Sequence, residues 1–150
     1  MFNLKRTALL LVLLLPCALH AAQWREVPST IPNIIVYIDP SSISVTDYVV
    51  KGWVRFDYRV PQEYQGKQLI GESSERMVNC RERTFWVMDG YGQPKGGGDP
   101  IRVYSTAEYW TTPAPDSRDE AAYTALCEES KSLIGNIVDK AGEALDKIAK

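Results

Sequence analysis

Few residues in this chain are of types that commonly carry chemistry, and where they stand decides most of what the sequence allows. The single histidine is His20, and the three cysteines are Cys17, Cys80 and Cys127. A histidine beside a serine or cysteine makes a nucleophile pair, and imidazole is the commonest metal ligand. His20 and Cys17, however, sit in a leader-like stretch. Met1–Arg6 is a short basic head with Lys5 and Arg6, Ala8–Leu15 is an apolar run, and Ala18-Leu19-His20-Ala21 has the small residues of a cleavage site. That order marks a secretory signal peptide over residues 1–21. Its apolar run is too short for a membrane-spanning helix, which needs about 20 apolar residues. Cys17 is a poor lipidation site, because Pro16 stiffens the bond where a small residue is wanted.

Cleavage after Ala21 leaves about 129 residues, with 15 basic against 19 acidic residues and no histidine. Ser-His and Cys-His pairs, histidine bases and histidine metal ligands leave with the leader. The remaining cysteines are Cys80 and Cys127. Export implies an oxidising compartment and two is an even number, so one disulfide, Cys80–Cys127, is the default. A redox dithiol would want C-x-x-C, which is absent. The carboxylate pairs Asp119–Glu120 and Glu128–Glu129 are adjacent on a helix and do not face each other across a bond, as a glycosidase requires. Asp89–Asp99 lacks both the calcium-loop spacing and the G-K-[ST] of a phosphate loop. No catalytic residue, metal site or cofactor site emerges. The acidic balance gives no case for nucleic acid, which wants a clustered basic surface.

What remains is recognition. Val50, Gly52, Val54, Phe56, Tyr58 and Val60 share one face of a strand over Val49–Val60, and Lys51, Trp53, Arg55, Asp57 and Arg59 share the other. Tyr37 and Trp86 stand out of phase with their apolar neighbours and join Trp53 and Arg55 on that second face. If one side of the sheet is open, Tyr37, Trp53, Arg55 and Trp86 form a protein-binding or dimer surface, since aromatic and Arg side chains give large contact area at low entropy cost. The competing reading has the tail helix or a loop covering them. Arg76, Arg81 and Arg83 surround Cys80. They form either a patch for an acidic partner, such as a sulfated glycan or an anionic protein, or local pairs with Glu75 and Glu82. Local pairing is the favoured reading.

The elements that must position these groups are mostly strands. Gln23–Val27, Asn33–Ile38, Val49–Val60, Gln68–Cys80, Thr84–Met88 and Ile101–Trp110 read as strands. A turn falls at Asp39–Ser42, a hairpin loop at Pro61–Lys67, a polar link at Arg81–Arg83 and a Gly-rich loop at Asp89–Pro100. About six strands with short connections favour an antiparallel sheet. After a proline joint at Pro113–Asp116, Ser117-Arg118-Asp119-Glu120 matches the capping box, and a helix over Ala121–Glu129 carries Cys127. Apolar residues at 134, 137, 138, 141, 145 and 148 continue as an amphipathic stripe, weakest at Gly135 and Gly142. This tail packs on the sheet, self-associates or touches a membrane surface. A strand cysteine bonded to a helix cysteine places the helix on the sheet face of Cys80 and Val78. The fold class is α+β, with a domain at 22–129 and a helical tail at 130–150.

This pattern resembles the surface-adhesin protein E family of exported bacterial proteins. The resemblance rests on Trp24, Tyr37-Ile38-Asp39 with Ser42-Ile43, the strand around Trp53, and Ser73-Ser74 leading to Val78-Asn79-Cys80. It continues through Tyr104…Trp110, the Pro113–Ser117 joint and Cys127, so it spans residues 24 to 127. The family pattern stops soon after the second cysteine, whereas about 20 residues follow here. The resemblance implies a bent antiparallel sheet of about six strands, with a C-terminal helix disulfide-tethered to its concave side. It also implies no enzymatic activity and binding of host extracellular-matrix or serum proteins, and it is compatible with a homodimer. The expected role is a non-catalytic, adhesin-like protein-binding module, exported to the periplasm or outer cell surface. The alternative is a periplasmic structural or assembly component with no host ligand.

Overall fold

A computed structural model describes residues 21–103 and 109–148, with side chains of the last helix described as far as residue 135. The expected leader with Cys17 and His20 lies outside the described residues, as do Tyr104 and the side chains of most of the apolar stripe. The strands are β1 (Arg25–Val27), β2 (Ile34–Ile38), β3 (Ser44–Thr46), β4 (Val49–Tyr64), β5 (Lys67–Asn79), β6 (Thr84–Pro94) and β7 (Ile101–Arg102). They form one antiparallel sheet of seven strands in the order β1-β2-β4-β5-β6-β7, with β3 also paired to β4. A long helix, α1 (Arg118–Ile148), follows. The α+β class and the helix-on-sheet layout are as the sequence pattern implies.

The details depart from the sequence reading where pairing overrides local composition. β4 runs straight through Pro61, so the expected loop at Pro61–Lys67 shrinks to a turn at Gln65 and Gly66, both at positive φ. That two-residue backbone twist suits a tight hairpin. A bulge explains how the proline is accommodated: the β4–β5 register shifts between Asp57 and Gln62, and the bulged segment leaves the ladder. β6 likewise runs on to Pro94, through residues that composition assigns to a loop. Of the strand expected over Ile101–Trp110, β7 covers Ile101–Arg102, and residues 104–108 lie outside the described residues. The Val103 amide adds one bond to the Gly90 carbonyl at 3.0 Å, and Thr111 bridges Phe85 in isolation. The turn at Asp39 is a 3-10 turn over Pro40–Ser42, capped by the Asp39 carboxylate on the Ser41 amide at 3.0 Å.

The inner face of the sheet carries the core. Val36, Ile38, Val50, Val54, Phe56 and Val78 are buried there against Ala122, Tyr123, Leu126 and Cys127 of α1. Alternation along β4 is strict from Val49 to Tyr58, buried then half-buried, as one covered face requires. Gly52 marks the closest approach: a Cβ there would lie 2.9 Å from Leu126 Cδ2 and 3.1 Å from Ile43 Cγ1. The helix start is a modified capping box. The Glu120 amide donates to Ser117 Oγ at 3.2 Å, but the Glu120 carboxylate accepts from the Asp116 amide at 2.8 Å and not from that of Ser117. The helix continues without a break past Glu129 and through Gly135, about 46 Å in all at 1.5 Å per residue.

Cys80 and Cys127 are bonded, with Cα atoms 5.7 Å apart, and the Tyr123 hydroxyl donates to the Cys80 carbonyl at 3.0 Å. Val78 is fully buried on the helix side, as the phase of Cys80 requires. The bond closes a loop of 47 residues of separation, which in the chain-entropy account stabilises the fold by about 4 kcal/mol. Replacing both cysteines by serine is expected to lower the unfolding free energy by about that amount in a urea titration. Thiol labelling of the folded, untreated protein should detect neither Cys80 nor Cys127.

Candidate functional site

The helix occupies one side of the sheet, so the other side is where recognition residues can be presented. Register fixes which side chains meet there. Tyr37 pairs with Arg55, Trp53 with Glu75, Lys51 with Met77, and Met77 with Trp86. Tyr37, Trp53, Arg55 and Trp86 therefore share the face opposite α1, on three strands, with Glu75 and Met77 of β5 between the two tryptophans. All four are half-buried. The Arg55 guanidinium lies over the Tyr37 ring at 5.4 Å and donates through Nε and Nη2 to both Asp57 oxygens at 2.8 Å. Lys51 pairs with Glu75 at 2.8 Å. Trp86 meets Trp110 edge-on, with ring centroids 6.3 Å apart. A loop residue thus gives Trp86 part of the cover that the sequence reading set against an open face. The described side chains of the helix pack on the other side.

The three arginines around Cys80 are not brought together. Arg76 points to the helix side and is fully buried. Its Nε donates to Ser74 Oγ at 2.9 Å and its Nη1 to Asp119 Oδ1 at 2.7 Å. Phe56 and Phe85 flank it, with centroids at 5.0 and 5.8 Å from the guanidinium carbon. Beside it, buried Glu72 accepts from Arg118 at 2.7 Å, and Arg118 also donates to the Tyr58 hydroxyl at 2.7 Å. Four charges thus link β5 to the first turn of α1. Arg81 and Arg83 stay at the surface, Arg81 over Tyr48 at 5.0 Å and Arg83 paired with Glu120 at 2.9 Å. Their partners are therefore not Glu75 and Glu82. Arg76 leaves the surface because inward phase on β5 puts residues 74, 76 and 78 on one face.

A second polar group on the outer face lies within residues that composition assigns to a loop. Asp89 Oδ2 accepts from the Tyr91 hydroxyl at 2.9 Å, and Asp89 Oδ1 accepts from Arg102 Nε at 3.0 Å and from the Gly90 amide at 3.0 Å. The Tyr91 hydrogen bond is the largest influence holding the Asp89 carboxyl below its ordinary range. The Gly90 amide and Arg102 act in the same direction, and partial desolvation opposes them. The same hydrogen bond raises the Tyr91 phenol. The signal in the sequence was the period of Gly90-Tyr91-Gly92, small residues inward and an aromatic outward. Tyr109 and Trp110 also stand exposed, at 70% and 41%. Among the described residues, no group of three or more His, Cys, Asp or Glu side chains could hold a metal ion. No helix among them is long and apolar enough to cross a membrane.

The family model described as surface-adhesin protein E matches residues 24–128. Among solved structures, the chain is similar to protein E from non-typeable Haemophilus influenzae, at 14% identity. That match covers 73% of this chain and 79% of that one, with a TM-score of 0.44. No curated protein matches.

Two outcomes test this geometry. Arg76→Ala strands Asp119 without its buried partner and is expected to cost about 3–5 kcal/mol, whereas Arg83→Ala changes stability by less than about 0.5 kcal/mol; denaturant unfolding measures both. For Asp89 the lowered value means that its stabilising contribution is present above the ordinary carboxylate range near 3.9 and is lost as pH falls through the folded value. Tyr91→Phe should move the Asp89 carboxyl titration, followed by NMR, back up toward that ordinary range.

Proposed function

This chain belongs to the surface-adhesin protein E family, and from that membership we propose that it is a non-catalytic protein-binding module of the cell envelope. On this reading the mature chain is exported and displayed at the cell surface. Its partner is a host extracellular-matrix or serum protein, held by the sheet face that α1 leaves free. The observation that carries the proposal is the placing of Tyr37, Trp53, Arg55 and Trp86 on that one face, half-exposed, with the core entirely on the other side. Trp, Tyr and Arg are the residues that dominate binding energy at protein interfaces, because each desolvates a large area for few frozen torsions. The Lys51–Glu75 and Arg55–Asp57 pairs supply the polar surroundings that fix orientation. None of the four contributes to the buried cluster under the helix, so removing one leaves the core intact.

The test is Trp53→Ala in the mature protein, assayed against a panel of purified extracellular-matrix and serum proteins. Loss of about 2 kcal/mol of binding, roughly 30-fold in Kd, with a melting temperature within a few degrees of wild type, is the expected result. A large fall in melting temperature would assign Trp53 to the core and remove the proposal. Protease shaving of intact cells that leaves the protein whole would replace surface display with a periplasmic structural role.

A further inference from the structure

On the outer face, β5 bulges at Ile70, between its pairings Leu69–Pro94 and Gly71–Gln93, and beside this bulge a cleft of about 640 Å³ opens. Such a volume lies within the ~300–1,000 Å³ of small-ligand pockets. Trp24, Tyr91, Arg55, Asp57, Gln93 and Pro100 line it. Two aromatic rings come from opposite ends of the sheet order, since Trp24 precedes β1 and Tyr91 lies on β6. Between them stands a planar, two-bond Arg55–Asp57 pair on the central strand β4. Tyr91 is 40% exposed and its hydroxyl is held by Asp89, which fixes the ring.

We infer that this cleft binds a neutral saccharide. The chemistry of the lining selects that class. Arg55 and Asp57 cancel each other's charge, and Glu72, which also lines the cleft, is paired with Arg118, so the cleft offers little net attraction to an anion or a cation. An apolar ligand would strip water from the carboxylate, the guanidinium and the Gln93 amide and return no hydrogen bond. A sugar ring meets both demands. Its C–H face stacks on Trp24 or Tyr91. Adjacent hydroxyls donate to the second lone pairs of the Asp57 oxygens and accept from the remaining N–H groups of Arg55 and Gln93. The pre-formed Arg55–Asp57 bond holds those acceptors and donors in one plane, so little is ordered on binding. The cleft is open to solvent, so binding is weak for each sugar and gains from several copies on one surface.

The site adjoins the proposed protein-binding face and shares with it the Arg55–Asp57 pair but neither Trp24, Tyr91 nor Trp53, so the Trp24 and Trp53 variants let the two readings fail separately. Saturation-transfer NMR on the mature protein with glucose, galactose, mannose and N-acetylglucosamine, each at millimolar concentration, is the experiment. Transfer to at least one sugar is expected. Trp24→Ala and Asp57→Asn should each weaken it by about tenfold, and Trp53→Ala should leave it unchanged. Tyr91→Ala takes the place of Trp24→Ala if that variant fails to fold. Absence of transfer to all four sugars, or transfer that survives loss of both aromatic rings, overturns the inference. Loss of transfer in Trp53→Ala would merge the cleft with the protein-binding face and overturn it as a separate site.

Discussion

Arg76 is the constraint around which the molecule is arranged. A guanidinium with no exposed surface in a sheet–helix layer is expensive unless its donors are met and its charge is balanced. Its neighbours answer most of those demands, while Nη2 faces the Glu72 carboxylate at 4.0 Å without a hydrogen bond. Ser74, two residues earlier on the same face, takes Nε, and Asp119 takes Nη1. Phe56 and Phe85 cover the flat faces, where a planar cation is attracted to ring electrons. Asp119 lies in the first turn of α1, where the helix dipole also favours a carboxylate. The helix can therefore slide neither along nor around its axis without stranding a charge. Nonspecific burial of Ala122 and Leu126 would tolerate such movement; the ion network does not.

The disulfide acts farther along the helix and by a different route. The ion network selects one arrangement among compact ones, while the Cys80–Cys127 bond restricts the unfolded chain. Together they fasten α1 at its first turn and at its third. The interior thus lies on one side of the sheet, and Tyr37, Trp53, Arg55 and Trp86 lie half-buried on the other.

Much of this was legible in the residues. The alternation over Val49–Val60 separated the two faces, the cysteine count paired Cys80 with Cys127, and Ser117 and Glu120 marked the helix start. What was not legible depends on partners remote in sequence. Pro61 reads as a loop because proline cannot donate to a ladder, but a bulge removes the need for that donor. Gly90 and Gly92 read as loop by composition, yet they are buried inward positions of β6, with Tyr91 outward. β3 is three residues long and exists only by pairing with β4, so no periodicity could reveal it. Arg76 looked like a surface cation beside Arg81 and Arg83. Its inward phase was readable, but nothing in the sequence names Asp119, 43 positions away, as its partner.

The sulfur–sulfur link also has a bearing on damage. All of β6, β7 and the exposed turn around Gly96, Gly97 and Gly98 lies between the two joined cysteines. Exposed loop tips of small residues are preferred sites of proteolytic nicking. A cut in that turn would leave two fragments still held by the sheet and by the bridge. A chain built this way survives a nick in that turn as one covalent body.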